Sequence, residues 1–347
     1  MTKLTFNKNV KYIGEAAFLM CSELTEIVIP EENQYFKSVD GVVYTKDGKK
    51  LVVYPGGKKE HLYTLPANVE EVVAGSLLTT PRLEEVAVED GNNNYEILGN
   101  ALVRKADKTM VYYPNAGFMK TEEPKLTIDD RIEAVGRYAL AYIPALTIIE
   151  IPDNFKRFED CSCLAGGGLS EIKAYENHDL KDVQLEEIGD SAFFYNMSLV
   201  ELPYMKNLKK IGKEAFARNY NLVVVNIPAD CEIGHMAFDY AMALSDVRCW
   251  GTIPSVIDDE TFTNITYMDD AVLEVPYGCK EVYESAEGWK NFKNIMEFDA
   301  GIATGINDVN INTESSDNAY YTLEGIKVNN PVKNTLYIHN GKKIIFK

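Results

Sequence analysis

Four histidines, His61, His178, His235 and His339, are the side chains that by type could move a proton near neutral pH. Hydrolytic use of such a group needs a nucleophile on one side and an orienting acid on the other. None of the four sits in such a motif, and no Gly-x-Ser-x-Gly elbow, His-Glu-x-x-His pair or EF-hand loop occurs. His235 follows Ile233-Gly234 on a turn and reads as a surface imidazole. Cys161-Ser162-Cys163 has the spacing of a metal or redox pair, but no second Cys or His pair lies near it to complete a zinc site. Cys21 and Cys249 read as small inward-facing hydrophobes, and six cysteines in 347 residues do not make a disulfide framework. The run Gly166-Gly167-Gly168 lacks the Lys-Ser/Thr of a phosphate loop and reads as a loop in an irregular repeat. Paired acids such as Glu84-Glu85, Asp129-Asp130 and Asp258-Asp259 would serve glycosidase chemistry only if held across a cleft. The sequence places them on turns and strand faces. The expectation is a protein with no catalytic residues, no metal and no cofactor.

What positions every one of these residues is a repeat. Val10-x-x-Ile13-Gly14-x-x-Ala17-Phe18-x-x-Cys21-x-x-Leu24-x-x-Ile27-x-Ile29-Pro30 returns at residues 208–228 with Leu208, Ile211-Gly212, Ala215-Phe216, Leu222, Val225 and Ile227-Pro228. Residues 185–203 carry it with an early proline at Leu202-Pro203, and residues 132–152 carry it through Val135-Gly136 and Ile151-Pro152. With weaker copies the total read is eight, and the anchors Ile188, Ile211, Ile233 and Ile257 recur every 22 to 24 residues. Within a copy, Leu-x-x-Ile-x-Ile alternates inside and outside as a strand does, and the proline ends it by removing a donor. Ile-Gly-x-x-Ala-Phe predicts a turn beside a short helical or 3-10 segment, with the glycine supplying a backbone conformation closed to other residues. One copy cannot bury its own apolar face, whereas stacked copies share a continuous core.

The phrase Ile-Gly-x-x-Ala-Phe-x-x-Cys/Asn-x-x-Leu-x-x-Ile-x-Ile-Pro resembles that of the BspA-like leucine-rich-repeat surface proteins, over most of residues 10–276. Two insertions resemble the hairpins of that family: Tyr35 to Pro55, with turn signals Asp40-Gly41 and Asp47-Gly48, and Tyr95 to Pro114. Leu273-Glu274-Val275-Pro276, Trp289 and Phe292 resemble its closing cap. The expected fold is therefore an α/β repeat: a right-handed leucine-rich-repeat solenoid of short parallel strands, short helical turns and inserted β-hairpins over residues 1–300, capped at about 270–300. A linker at 299–305 leads to a small β-rich C-terminal module at 306–347, with a hairpin signal at Asn340-Gly341. That segment resembles the C-terminal tails of secreted Bacteroidetes proteins, which implies export; the other reading is a module that only packs on the cap.

The candidate binding face is the outward side of the strands. The position before the first Ile of each strand is Glu26, Glu85, Ile148, Glu171, Glu201, Val224 and Asp246, mostly acidic, with Glu150 at a neighbouring outward position. In a continuous sheet Glu171 and Glu201 would stand about 4.8 Å apart and repel. The stripe is either a solvated face or a cation-seeking one, for Lys/Arg-rich protein surfaces or calcium. With 35 basic against 53 acidic residues the net charge is −18, which argues against nucleic acid and anionic membranes as partners. No run is long and apolar enough to span a bilayer. The first residues carry no leader and enter the first repeat at once; the family resemblance implies an extracellular or cell-surface protein whose signal peptide has been trimmed, and an intracellular protein would read the same way here. Adhesion to a host matrix or cell-surface protein is what the resemblance implies. A spacer or a glycan-processing component are the other readings. Residues 1–9 are too short to cap the first repeat, which predicts an exposed apolar edge or homodimer contacts there.

Overall fold

The Leu-x-x-Ile-x-Ile phrases become strands stacked in parallel, and the chain between them turns through a β-solenoid of about twelve turns with little helix. The computed structural model describes residues 1–116, 118, 124–176, 178–263 and 271–300, with the strands Tyr320–Tyr321, Lys327–Val328, Thr335–His339 and Lys342–Phe346. These fall into two compact units, Met1–Ala300 and Gly301–Lys347.

In the first unit two parallel ladders run along the solenoid. One is built from the predicted strands, joined by the unpredicted Lys3–Thr5, Leu62–Leu65, Lys125–Thr127 and Asn294–Phe298, and comes in four blocks. The third block is Lys125–Thr127, Ile148–Ile151 and Glu171–Ala174. The fourth is Glu201–Leu202, Val224–Ile227, Asp246–Cys249, Val272–Pro276 and Asn294–Phe298. The other ladder is made of two-residue strands at the Ile-Gly step, from Ala134–Val135 through Arg157–Phe158, Glu187–Ile188 and Lys210–Ile211 to Glu232–Ile233. Inward residues of both are sealed: Ile149, Val225, Val247, Ile188 and Ile211 have no accessible surface.

The Ile-Gly-x-x-Ala-Phe segments differ from the expected helical turns. Each carries two non-glycine residues in the left-handed region, four apart: Ala16 and Met20, Tyr138 and Tyr142, Ser191 and Tyr195, Glu214 and Arg218, Met236 and Tyr240. A right-handed helix cannot hold a left-handed residue every fourth position. The amides instead bond to the next turn, Ser191 N–H to Lys213 O at 2.8 Å, Phe193 to Ala215 at 2.8 Å and Tyr195 to Ala217 at 2.9 Å. The reason for the glycine also differs. Gly189, Gly212 and Gly234 have no positive φ; a Cβ on Gly212 would lie 2.5 Å from both Asp190 N and Gly189 C of the preceding turn. Close approach of backbones, not a special conformation, requires glycine there.

Ala and Phe of each copy point inward as expected. Phe193, Phe216, Phe238 and Phe262 form a stacked column, with centroids 5.2 to 5.7 Å apart and planes within 10°. The cap closes that column: Trp289 and Phe292 pack on Phe262 at 5.7 and 5.5 Å, beyond the one short α-helix described, Lys280–Ser285. Both insertions are three-stranded meanders, Phe36–Val39, Val42–Thr45, Lys50–Val53 and Tyr95–Leu98, Ala101–Arg104, Thr109–Tyr112. Their third strands enter the second ladder in parallel, beside Glu71–Val72 and Ala134–Val135. At the start, Lys3–Thr5 pairs with Glu26–Val28, yet Phe6, Val10, Ile13 and Phe18 stay half-buried where their counterparts deeper in the array are sealed.

In the second unit Tyr320–Tyr321, Lys327–Val328, Thr335–His339 and Lys342–Phe346 form an antiparallel sheet. His339 pairs opposite Lys342, the register that a two-residue connection gives, while Asn340-Gly341 itself and most of the linker at 299–305 lie outside the described residues.

A candidate binding groove on the strand face

The three described histidine side chains each face a carboxylate from a neighbouring repeat: His61 Nδ1 lies 3.0 Å from Glu84, His178 2.8 Å from Asp153 and His235 2.8 Å from Asp258. The side chain of His339 lies outside the description. Of the paired acids, Asp129 and Asp258 build turns, while Glu85 opens a strand. Asp129 accepts two bonds from the Arg131 guanidinium, which holds its carboxyl below the usual range. Asp258 takes the Glu260 amide and the Thr261 hydroxyl as well as His235. Cys163 is buried, which pushes its thiol up to about 12, and Cys161 is half-buried with its thiol also raised by burial. Gly166 and Gly168 serve packing: a Cβ on either would collide with the Asn196 carboxamide or the Pro144 carbonyl. Among the described residues no group of His, Cys, Asp and Glu is placed to hold a metal ion.

The acidic stripe is not a ladder of like charges. Register sets Glu26 beside Lys3, Glu85 beside Leu62, Glu171 beside Ile148, and Val224 between Glu201 and Asp246. No two of these acids are adjacent strand partners. Glu26 is paired to Lys3 at 3.0 Å, and Glu85 stands on a separate two-stranded sheet. Glu150 is not an open carboxylate but a buried one, only 8% exposed, bonded to Thr127 Oγ1 at 2.7 Å and Lys125 Nζ at 3.1 Å. Burial works to raise its pKa, and these bonds more than offset it, leaving it lowered.

The expected side-by-side placement of Glu171 and Glu201 fails for a local reason. Residues 175–186, including the 3-10 turn Leu180–Asp182, are inserted between the two strands, and Pro203 arrives two residues early, where a proline cannot donate to a ladder. Glu171–Ala174 and Glu201–Leu202 therefore belong to different sheets. The break is one-sided. Behind it the second ladder continues from Arg157–Phe158 to Glu187–Ile188, and the turns stay bonded from Cys161 to Asp190 and Cys163 to Ala192, each at 2.8 Å.

At the break a groove crosses the outward face. One part, about 380 Å³, lies between Glu171 and Lys173 on one side and Val200 and Glu201 on the other; a second, about 470 Å³, continues over Val224 and Asp246 to Trp250 and Glu274. Leu180, Glu201 and Pro203 line both. Trp250 stacks on Tyr204 with centroids 4.1 Å apart and meets Phe298 edge to face at 5.1 Å. The Trp250 indole N–H donates to Asn226 Oδ1 at 3.3 Å, and the Asn226 amide donates to Leu202 O at 3.1 Å. Arg248 lies 5.1 Å over the Phe298 ring and forms an ion pair with Glu274. Of the six acids expected on this face, Glu171, Glu201 and Asp246 reach the groove. Tyr204, Trp250 and Phe298 were not anticipated. The available signal was departure from the repeat, since Trp250 stands where Pro30 and Pro228 stand in regular copies.

Two solved structures share this fold. The crystal structure of the pneumococcal vaccine antigen PcpA superposes with a TM-score of 0.57 at 18% identity, over 86% of this chain and 68% of that one. A leucine-rich repeat protein from Eubacterium ventriosum gives 0.54 at 19% identity, over 76% of this chain and 77% of that one. Among curated proteins none matches by sequence. The model of the BspA type leucine rich repeat region matches six copies, at residues 1–39, 107–182 and 135–269, more than half of the sequence. The chain belongs to the BspA-type leucine-rich-repeat family.

Proposed function

We propose that the chain is a non-enzymatic binding protein of the cell surface or secreted space, and that a protein partner docks on its outward strand face, as in adhesion to a host matrix or cell-surface protein. The observation that carries this reading is the groove at the broken ladder. It combines stacked aromatic rings, a guanidinium and carboxylates on a rigid sheet, the composition that anchors protein interfaces. A repeat array offers such a face at low ordering cost, because the strands are already fixed. The likeness to a vaccine antigen agrees with exposure at a surface. The half-open first repeat is a second contact surface in this reading, one that a second copy would cover.

The test is binding of the full chain to a panel of host matrix proteins, cell-surface proteins and glycans at low and moderate salt, repeated with Glu171→Lys plus Glu201→Lys. A salt-sensitive partner lost in the double variant is the expected result. A chain that binds nothing on the panel at high concentration would be a spacer or scaffold instead.

A further inference from the structure

Charge in the groove is nearly all cancelled locally. Lys181 pairs with Asp179 at 2.8 Å, Arg248 with Glu274, and Lys173 lies 3.8 Å from Glu171 and 3.9 Å from Glu150. Glu201 and Asp246 are different. Among the described residues neither has a basic partner: Glu201 meets the Asn226 amide at 3.4 Å, and Asp246 meets the Ser245 hydroxyl. Register sets both beside Val224, on strands two spacings or about 9.6 Å apart. Two carboxylates thus rise on either side of one apolar side chain, in a groove walled by Pro203 and the Tyr204–Trp250 pair. A cation with a long apolar stem satisfies every part of that arrangement. The stem covers Val224, and the head reaches both acids without full desolvation. The chain supplies its own example one strand further on, where Arg248 lies over Phe298 and pairs with Glu274.

We propose that this part of the groove takes one arginine side chain from an extended segment of the protein partner, its stem on Val224 and its guanidinium shared between Glu201 and Asp246. The inference rests on the binding reading above and names the chemistry of its anchor. Arginine is favoured over lysine because its planar fork can serve two carboxylates at once.

The experiment uses the full chain and the peptide acetyl-Ser-Val-Arg-Val-Ser-amide. A second peptide replaces arginine with citrulline, which keeps the shape and removes the charge. Of the two tryptophans, Trp289 is fully buried under the cap, so ligand-dependent emission reports Trp250. The arginine peptide is expected to shift that emission saturably in the millimolar range, and the citrulline peptide to bind about ten-fold more weakly. Glu201→Gln with Asp246→Asn should cause the same loss, while Glu26→Gln with Glu85→Gln should cause none. Equal binding of the two peptides, an unchanged Glu201/Asp246 variant, or no shift with arginine peptide would overturn the proposal. A panel protein that binds the Glu201/Asp246 variant undiminished would sink this anchor and leave the binding reading standing. A bound arginine peptide with an empty panel would do the reverse.

Discussion

Two substitutions in neighbouring turns, Gly212→Ala and Ser191→Gly, test why the repeat is built as it is. Gly212 touches the preceding turn, and its φ is ordinary; Ser191, two residues after Gly189, is left-handed with φ of 53°. In Gly212→Ala the new methyl would stand 2.5 Å from Asp190 N and Gly189 C, both backbone atoms, so the turns must part by nearly an ångström to reach ordinary contact at 3.4 Å. They are held by Gly212 N–H to Ile188 O at 2.7 Å and Ser191 N–H to Lys213 O at 2.8 Å. Overpacking of this kind costs about 1–3 kcal/mol, and each weakened hydrogen bond adds about 1 kcal/mol. The restricted unfolded chain returns about 0.4–1 kcal/mol. The expected loss is about 2–4.5 kcal/mol. Ser191→Gly releases about 1–2 kcal/mol of left-handed strain against about 0.5–1 kcal/mol of chain entropy, so it should be neutral or slightly stabilising. Urea unfolding of the full chain, followed by circular dichroism and by tryptophan emission, compares the pair. A harmless Gly212→Ala would refute the close-approach reading, and a costly Ser191→Gly would show that the left-handed residue stores no strain.

Phe216→Ala removes the middle of the phenylalanine column and should cost about 4 kcal/mol, read as a split thermal transition rather than a single shifted one. Acid should weaken the fold in a particular window. Asp129 and Glu150 have carboxyls held below their ordinary values of 3.8 and 4.5, so their contribution is complete above those values and is lost as pH falls through the lower folded ones. Urea midpoints measured from about pH 6 down to pH 3 should fall, and Glu150→Gln should flatten that slope; a slope unchanged by the substitution would remove Glu150 from the account. Burial pushes the Cys163 and Cys231 thiols up to about 12, so iodoacetamide at neutral pH should leave both unlabelled until the chain is unfolded, as mass spectrometry of native and denatured samples would show.

The repeat was legible because its signal is redundant. All eight copies carry the strand positions and five carry the Ile/Val-Gly step, so the pattern survives where single copies depart from it. The strands at Leu62–Leu65 and Lys125–Thr127 were missed, since each follows an insertion and has lost the Ile-Gly-x-x-Ala-Phe half that makes a copy visible. The second ladder was missed for another reason: two-residue strands such as Lys210–Ile211 are too short for alternation to register. Helical turns were expected because Ala-Phe at that spacing suits a helix face, yet alternating left-handed residues leave no mark on composition: Ser191, Glu214 and Met236 share nothing but position. At the site, side-chain type was read well and adjacency badly. Glu171 and Glu201 do face outward, but an insertion and an early proline, both visible in the sequence, separate their strands.

On the proposed binding reading, that separation is what would make the face specific. An unbroken ladder presents the same surface at every repeat, and a partner could slide along it by one register. Residues 175–186 end that equivalence at one of the ladder's three breaks, with Leu180 as a ridge and Pro203 as an edge beside it. The cost to the array is confined to the front. The core remains joined behind the break by Phe158 against Phe193 at 4.8 Å, by the bond from the Asn196 amide to Cys163 O at 2.8 Å and by the continuous second ladder. A solenoid with two ladders can open one of them and keep its stability in the other. On the proposed binding reading the irregular copy is where recognition is most cheaply built, and departures such as Trp250 in place of a proline mark that copy in the sequence.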